Sequence, residues 1–111
     1  MRFSKYRAVK TVVDGIKFDS KREAARYLEL KALEQAGEIS RLTLQVPFEI
    51  IPKSVGPDGK NLRQIRYIAD FCYYDKFGHR HVEDVKGVRT DVYKLKKRLM
   101  WHVHGIAIEE I

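Results

Sequence analysis

The chain has 111 residues, 44% apolar and 33% charged, which predicts a single soluble domain because chains of this length rarely divide into two cores. Twenty-two Lys and Arg against fifteen Asp and Glu leave a formal charge of +7, which favours a polyanionic partner, nucleic acid first. No stretch approaches the ~20 apolar residues of a bilayer span, so a membrane protein of the helical kind is excluded.

The first ten residues, MRFSKYRAVK, carry four cations and no acid. They read as a basic arm (1–10) suited to phosphate contact, and no apolar run follows to make them a secretory signal. The lone cysteine, Cys72, has no partner for an internal disulfide and is expected to be a small buried apolar residue. Both features fit a cytoplasmic location.

Residues 11–19 place Asp14-Gly15 between Val12, Val13, Ile16 and Phe18, the pattern of a short hairpin. Ser20 with Glu23 three residues later forms a capping box, and good helix formers continue to Gly37, which predicts a first helix over 20–36. Two ridges lie on it: Ala25, Leu28, Ala32 and Ala36, and Glu23, Tyr27 and Leu30. The second ridge would turn Glu23 toward packed protein.

Leu42 to Ile51 reads as a strand, bent or at an edge because Pro47 interrupts it. Residues 52–61 gather Pro and Gly as a loop or hairpin turn. Leu62 to Tyr74 is a second strand, Asp75 to Gly78 a turn, and His79 to Lys86 its antiparallel partner. Thr90 or Asp91 caps a second helix with the apolar series Val92, Leu95, Leu99 and Val103, while Lys94, Lys97, Arg98 and Trp101 point elsewhere. Gly105 stops it, and residues 106–111 offer a last short strand. The main elements run α-β-β-β-α-β.

The antiparallel pairing brings Asp70 and Asp84 together. Period-two alternation puts Asp84 and Lys86 on one face and Glu83 on the other with His81 and Val85; using Glu83 in place of Asp84 would need a bulge. Two carboxylates ~4 Å apart at an effective dielectric of ~20 repel by roughly 4 kcal/mol, so a cation must offset them. Lys86 supplies one charge, and paired hard oxygens are also what Mg²⁺ takes. Such an ion polarises a phosphate oxygen and activates water, while Lys86 orients that water or stabilises the charge growing on phosphorus-bound oxygen.

Asp70 followed by Asp84-Val85-Lys86 resembles the PD-(D/E)xK nuclease signature, with Glu23 as the upstream helical acid of the branch that contains phage endonuclease I-like Holliday junction resolvases. The phrases FDSKREAARYLEL, YIADF, VEDVKG and TDVYKLKKRL look like a small phage-encoded family grouped with that superfamily, over roughly residues 12–111. The resemblance implies an α/β restriction-endonuclease-like core, a mixed β-sheet flanked by helices. It implies Asp70 and Asp84 as metal ligands, Lys86 as the catalytic lysine and Glu23 as an accessory acid at a Mg²⁺ site, with Mn²⁺ as the alternative ion. Ala69 stands where the signature has proline.

Several residues keep two readings. Glu23 fits a helix cap as well as a metal site, and Gln45 either positions a water or bonds a strand edge. His79 and His81 share a strand face that zinc can use, but no further spaced ligand accompanies them. Trp101, Tyr67, Tyr73 and Tyr74 read as core or dimer contacts. Arg89, Lys94, Lys97 and Arg98 form the candidate nucleic-acid surface, following directly on Lys86.

The leading expectation is a metal-dependent DNA endonuclease acting on branched DNA such as Holliday junctions, a preference that comes from the resemblance alone. Cutting both strands of a symmetric junction needs two active sites, hence a homodimer. A non-catalytic basic DNA-binding module and a nuclease subunit activated by a partner are the alternatives, and the basic surface does not itself distinguish DNA from RNA.

Overall fold

The computed structural model describes residues 9–111, so the basic arm expected over 1–10 lies, but for Val9 and Lys10, outside the described residues. Strands β1 (Thr11–Val13) and β2 (Ile16–Phe18) form the expected hairpin, with Asp14 and Gly15 at φ 53° and 74°. Positive φ at both central residues is what a two-residue turn of type I′ demands, and Asp-Gly tolerates it. Helix α1 (Lys21–Gln35) follows, its N-terminus capped by the Ser20 hydroxyl, which accepts from the Glu23 amide.

Strand β3 (Ile39–Ile51) is 13 residues long and lies at the edge of the main sheet, as Pro47 requires. A small ribbon, β4 (Ser54–Val55) with β5 (Asn61–Leu62), occupies the Pro/Gly-rich segment. Strands β6 (Ile65–Asp75) and β7 (Arg80–Asp84) pair antiparallel about the Asp75–Gly78 turn. Helix α2 (Asp91–His104), capped by Thr90 and ended by Gly105 at φ 67°, leads to β8 (Glu109–Glu110). Strand β8 joins β7 in parallel, so the sheet, ordered β3-β6-β7-β8, is mixed and the described residues form an α/β fold with two helices. Among the described residues no helix is long and apolar enough to cross a membrane.

Each helix packs its own cluster. Helix α1 contributes Ala24, Tyr27 and Leu30 to a core with Phe18, Ile39, Phe71 and Tyr73. Helix α2 contributes Tyr93 and Met100 to a core with Phe48, Ile50, Tyr67, Ala69, Cys72, Val82 and Ile108. Phe71 and Tyr73 flank Cys72 on one strand, so the two clusters lie on opposite faces of the sheet.

The alternation does not run unbroken. On β3, Leu42 and Leu44 pack toward the α1 cluster, whereas Val46, Phe48 and Ile50 belong to the α2 cluster. On β6, Tyr67 and Ala69 belong to the α2 cluster and Phe71 and Tyr73 to the α1 cluster. Strict period-two order would keep each set on one face, so both strands skip a step at Gln45 and Asp70, which lie between the register pairs Leu44↔Phe71 and Val46↔Ala69. Gln45 takes φ 52°, a left-handed conformation that re-aims the strand.

The helix faces match the sequence expectation only in part: the Glu23–Tyr27–Leu30 ridge is buried as expected, and the other apolar series are not. On α1 the Tyr27–Leu30 ridge is the buried one, while Ala25, Leu28, Ala32 and Ala36 are exposed, because an alanine stripe offers little apolar area against a tyrosine and a leucine. On α2 the buried positions are Tyr93 and Met100; Val92, Leu95 and Val103 are exposed and Leu99 only half-buried. Burying the Tyr93 ring removes more area than Val92 would, and its hydroxyl finds an acceptor in Glu110. Trp101, expected as a core or dimer contact, is 64% exposed and so lies outside the core, whereas Cys72, Tyr67 and Tyr73 are buried as anticipated.

Candidate active site

The acids meet where β6 and β7 part. Phe71 pairs with Glu83, which sets Asp70 opposite Asp84, the last residue of β7. Beyond the strand end the Val85 amide turns back and donates to Asp70 Oδ2 at 2.8 Å. Glu23 enters from the first turn of α1, and the Gln45 side-chain amide donates to Glu23 Oε1 at 3.2 Å and to Asp70 Oδ1 at 3.4 Å. The left-handed backbone at Gln45 thus serves to aim an amide between two carboxylates.

Asp84 is buried and held from two sides: Tyr67 donates its hydroxyl to Oδ2 at 2.5 Å, and Lys86 Nζ lies 3.2 Å from Oδ1. Lys86 sits 4.4 Å from the centroid of the Tyr93 ring, a cation–π contact that fixes the ammonium between aromatic face and carboxylate. Arg22 secures the backbone here, donating to the carbonyls of Lys86 at 3.2 Å and Ile111 at 2.8 Å.

Electrostatics single out two of the acids. Burial, then the charges of Asp70, Asp19 and Asp84, push Glu23 up to about 7. Asp70 rises to about 6, through burial first and the neighbouring Asp84 charge, against the lowering effect of the Val85 amide and Lys86. Burial also raises Tyr67, as does its bond to Asp84, so the hydroxyl keeps its proton and remains a donor.

Glu83 lies on the opposite face, as the alternation predicts, and is fully engaged there. Arg26 of α1 grips it in a two-point contact, Nε to Oε1 at 2.8 Å and Nη2 to Oε2 at 2.6 Å, and the Tyr73 hydroxyl donates to Oε2 as well. This pairing raises Arg26 and ties α1, and with it Glu23, to β7. It leaves Glu83 no role at the acidic cluster.

The candidate nucleic-acid residues divide. Glu110 on β8 captures two of them, accepting from Arg89 Nε at 2.9 Å and pairing with Lys97 at 3.3 Å, while Tyr93 donates to it at 2.8 Å. The Tyr93 bond first, then those two cations, hold its carboxyl down at about 2. Lys94 and Arg98 stay exposed and, with Lys97, Trp101, Ala107 and Ile108, line a groove of about 460 Å³. The His79–His81 pair does not present a zinc face: both ring nitrogens of His81 face carboxylates, Asp75 at 2.9 Å and Glu109 at 2.8 Å. A neutral imidazole has only one N–H, so this bridge calls for the imidazolium, and His81 is raised accordingly, chiefly by Asp75.

The sequence singled out Glu23, Asp70, Asp84, Lys86 and Gln45, and the fold brings these five together. Tyr67, Tyr93 and Arg22 were not picked out as site residues, since nothing in their local spacing ties them to Asp84 or Lys86. Among the described residues no three or more His, Cys, Asp or Glu side chains form a ready-made ion cage. The three acids instead offer a partial, all-oxygen donor set with surplus negative charge, of the kind Mg²⁺ completes with water. Glu23 and Asp70, each raised by burial first and then by neighbouring carboxylate charge, fit such an ion.

No curated protein and no solved structure matches the chain. The family model described as "Protein of unknown function (DUF1064)" matches residues 3–106, and the chain belongs to that family.

Proposed function

We propose that the protein is a metal-dependent endonuclease that hydrolyses phosphodiester bonds in DNA, with a restriction-endonuclease-like core. The observation that carries this reading is the neighbourhood of Glu23, Asp70 and Asp84, with Gln45 bridging the first two and Lys86 beside the third, and with Glu23 and Asp70 raised toward neutrality by burial and nearby carboxylates. Surplus carboxylate in a small, positively charged domain is poorly explained by stability, since the repulsion opposes folding.

Glu23, Asp70 and Asp84 would hold Mg²⁺ or Mn²⁺, which supplies Lewis acidity toward a phosphate oxygen when bound. Gln45 keeps the Glu23 and Asp70 carboxylates in place by donating to both. Tyr67 does the same for Asp84 and leaves its Oδ1 toward Lys86. Lys86 presents a cation to the attacking water or to the phosphate oxygens that gain charge, and the Tyr93 ring limits where the ammonium can move. A preference for branched DNA and a homodimeric form, two centres for a symmetric junction, follow from the resemblance to phage junction resolvases.

The test is incubation of the purified protein with a labelled four-way junction and a matched linear duplex, in Mg²⁺, Mn²⁺ or EDTA. Asp84→Asn keeps an acceptor for Tyr67 and Lys86→Ala removes the cation; circular dichroism checks that each variant folds. Metal-dependent cutting lost in both variants is the expected result. Binding without cutting in either metal would replace the nuclease by a non-catalytic DNA-binding module.

A further inference from the structure

Beyond the acids, among the described residues, the sheet is covered on one face only. Helix α2 packs Val46, Phe48, Ile50, Tyr67 and Ala69, while the alternate residues Pro47, Glu49, Arg66 and Ile68 are exposed. Pro47 pairs with Ile68 and Glu49 with Arg66, and the face opposite α2 is the one from which α1 brings Glu23 to the acids. An open surface therefore leads from the acidic cluster along β6 to the β4–β5 ribbon. There Lys53, Arg63 and Arg66, with Asn61, Leu62 and Gln64, line a groove of about 460 Å³.

The cations of this groove differ from those at the start of α2. Among the described residues none of Lys53, Lys60, Arg63 and Arg66 has a carboxylate within 4.0 Å, whereas Glu110 occupies both Arg89 and Lys97. The nearby acids are otherwise placed: Asp58 accepts the Lys60 backbone amide, and Glu49 faces Arg66 in register without an ion pair. Two guanidinium forks and an ammonium around one groove match phosphate oxygens in charge and in geometry.

We propose that this groove binds the phosphate backbone of a nucleic-acid duplex whose scissile region lies over the acids. Arg66 and Arg63 precede Asp70 by four and seven residues, which at ~3.3 Å per residue places them up to about 13 and 23 Å away along the strand. A duplex rises ~3.4 Å per base pair, so the contacts fall about four to seven base pairs from the bond presented to Asp70 and Asp84. The role of the acids rests on the nuclease reading; the binding does not.

The experiment is a fluorescence-anisotropy titration of a labelled 30-base-pair DNA duplex in EDTA, from 50 to 200 mM NaCl, using the full chain. In the variant Lys53→Gln/Arg63→Gln/Arg66→Gln, three lost phosphate contacts are expected to lower the slope of log affinity against log salt by about 2.7 and to weaken binding at 100 mM by about tenfold or more. All three side chains are exposed, so thermal unfolding should be unchanged, and Arg63→Glu alone provides a second, less extensive perturbation. Lys17→Gln, on the β1–β2 hairpin and outside the groove lining, should leave the slope unchanged. An unchanged slope in both groove variants overturns the proposal, as does a wild type that fails to bind duplex at 50 mM. Anionic phosphatidylserine vesicles that lose binding to the variant while duplex binding stays intact would overturn it in favour of a lipid surface. Metal-dependent cutting with an unchanged slope would refute the groove alone, and a lowered slope without cutting in any metal would refute the nuclease alone.

Discussion

Arg26 is the residue whose loss should cost most relative to its apparent exposure. Its Nε and Nη2 make a two-point contact of 2.8 and 2.6 Å with Glu83, which is 1% exposed, and its remaining bond goes to the exposed Glu29. In Arg26→Met the aliphatic stem is replaced, so little cavity forms, but Glu83 is left buried without its cation. Removing one partner of a buried pair costs about 3–5 kcal/mol, against well under ~1 for the Glu29 contact. With an unfolding entropy of ~2.1 cal/mol/K per residue, a chain of this size should lose about 13–21 °C in Tm. Urea unfolding followed by circular dichroism at pH 7 measures the loss directly. The double variant Arg26→Met/Glu83→Gln, in which the amide still accepts from Tyr73, should recover more than half of it. A loss below about 1 kcal/mol, or a double variant no more stable than the single one, would refute the view that this pair clamps α1 to β7.

Three further outcomes test the charge assignments. Glu23 binds its proton more tightly folded, at about 7, than at its ordinary 4.5, so its contribution is full below about pH 4.5 and declines as pH rises toward 7. Glu23→Gln should therefore stabilise the metal-free protein at pH 8 by about 1–2 kcal/mol, allowing for solvent screening, and show little benefit at pH 4; parallel pH profiles in EDTA would count against it. The His81 bridge is raised above 6.5, so its stabilisation is present below that value and is lost as pH rises through the folded-state value. An NMR titration giving His81 a value at or below 6.5 would remove the imidazolium. Finally, Glu110→Gln should release Arg89 and Lys97 for phosphate and steepen the salt dependence of duplex binding by up to about 1.8; an unchanged slope would mean that the start of α2 does not touch the duplex.

The strand pairings were legible because Asp75–Gly78 fixes the turn, and from the turn the alternation alone separates Asp84 from Glu83. The first-helix boundary was equally plain in Ser20 and Glu23. The rotation of α2 was not: Val92 and Tyr93 differ by 100° around it, and the choice between them depends on Glu110, which returns to the sheet only after the helix has ended. The same return explains the capture of Arg89 and Lys97, which sequence neighbours do not reveal. Gln45 stood out as a polar residue in an apolar run, yet its meaning lay in a backbone inversion that its residue type does not announce. Tyr67 reaches Asp84 across 17 positions and carries no local signal.

An outer strand 13 residues long would ordinarily invite another chain to extend the sheet. Here the ladder it presents is repeatedly interrupted: Arg41 and Gln45 are left-handed, Pro47 has no amide hydrogen, and the register slips again between Glu49 and Ile51. No uninterrupted run longer than Leu42–Leu44 remains for a newcomer to zip against. The inversion that aims an amide at the acids thus also shields the protein from edge-to-edge polymerisation, and any pairing of two copies must use surfaces other than this strand.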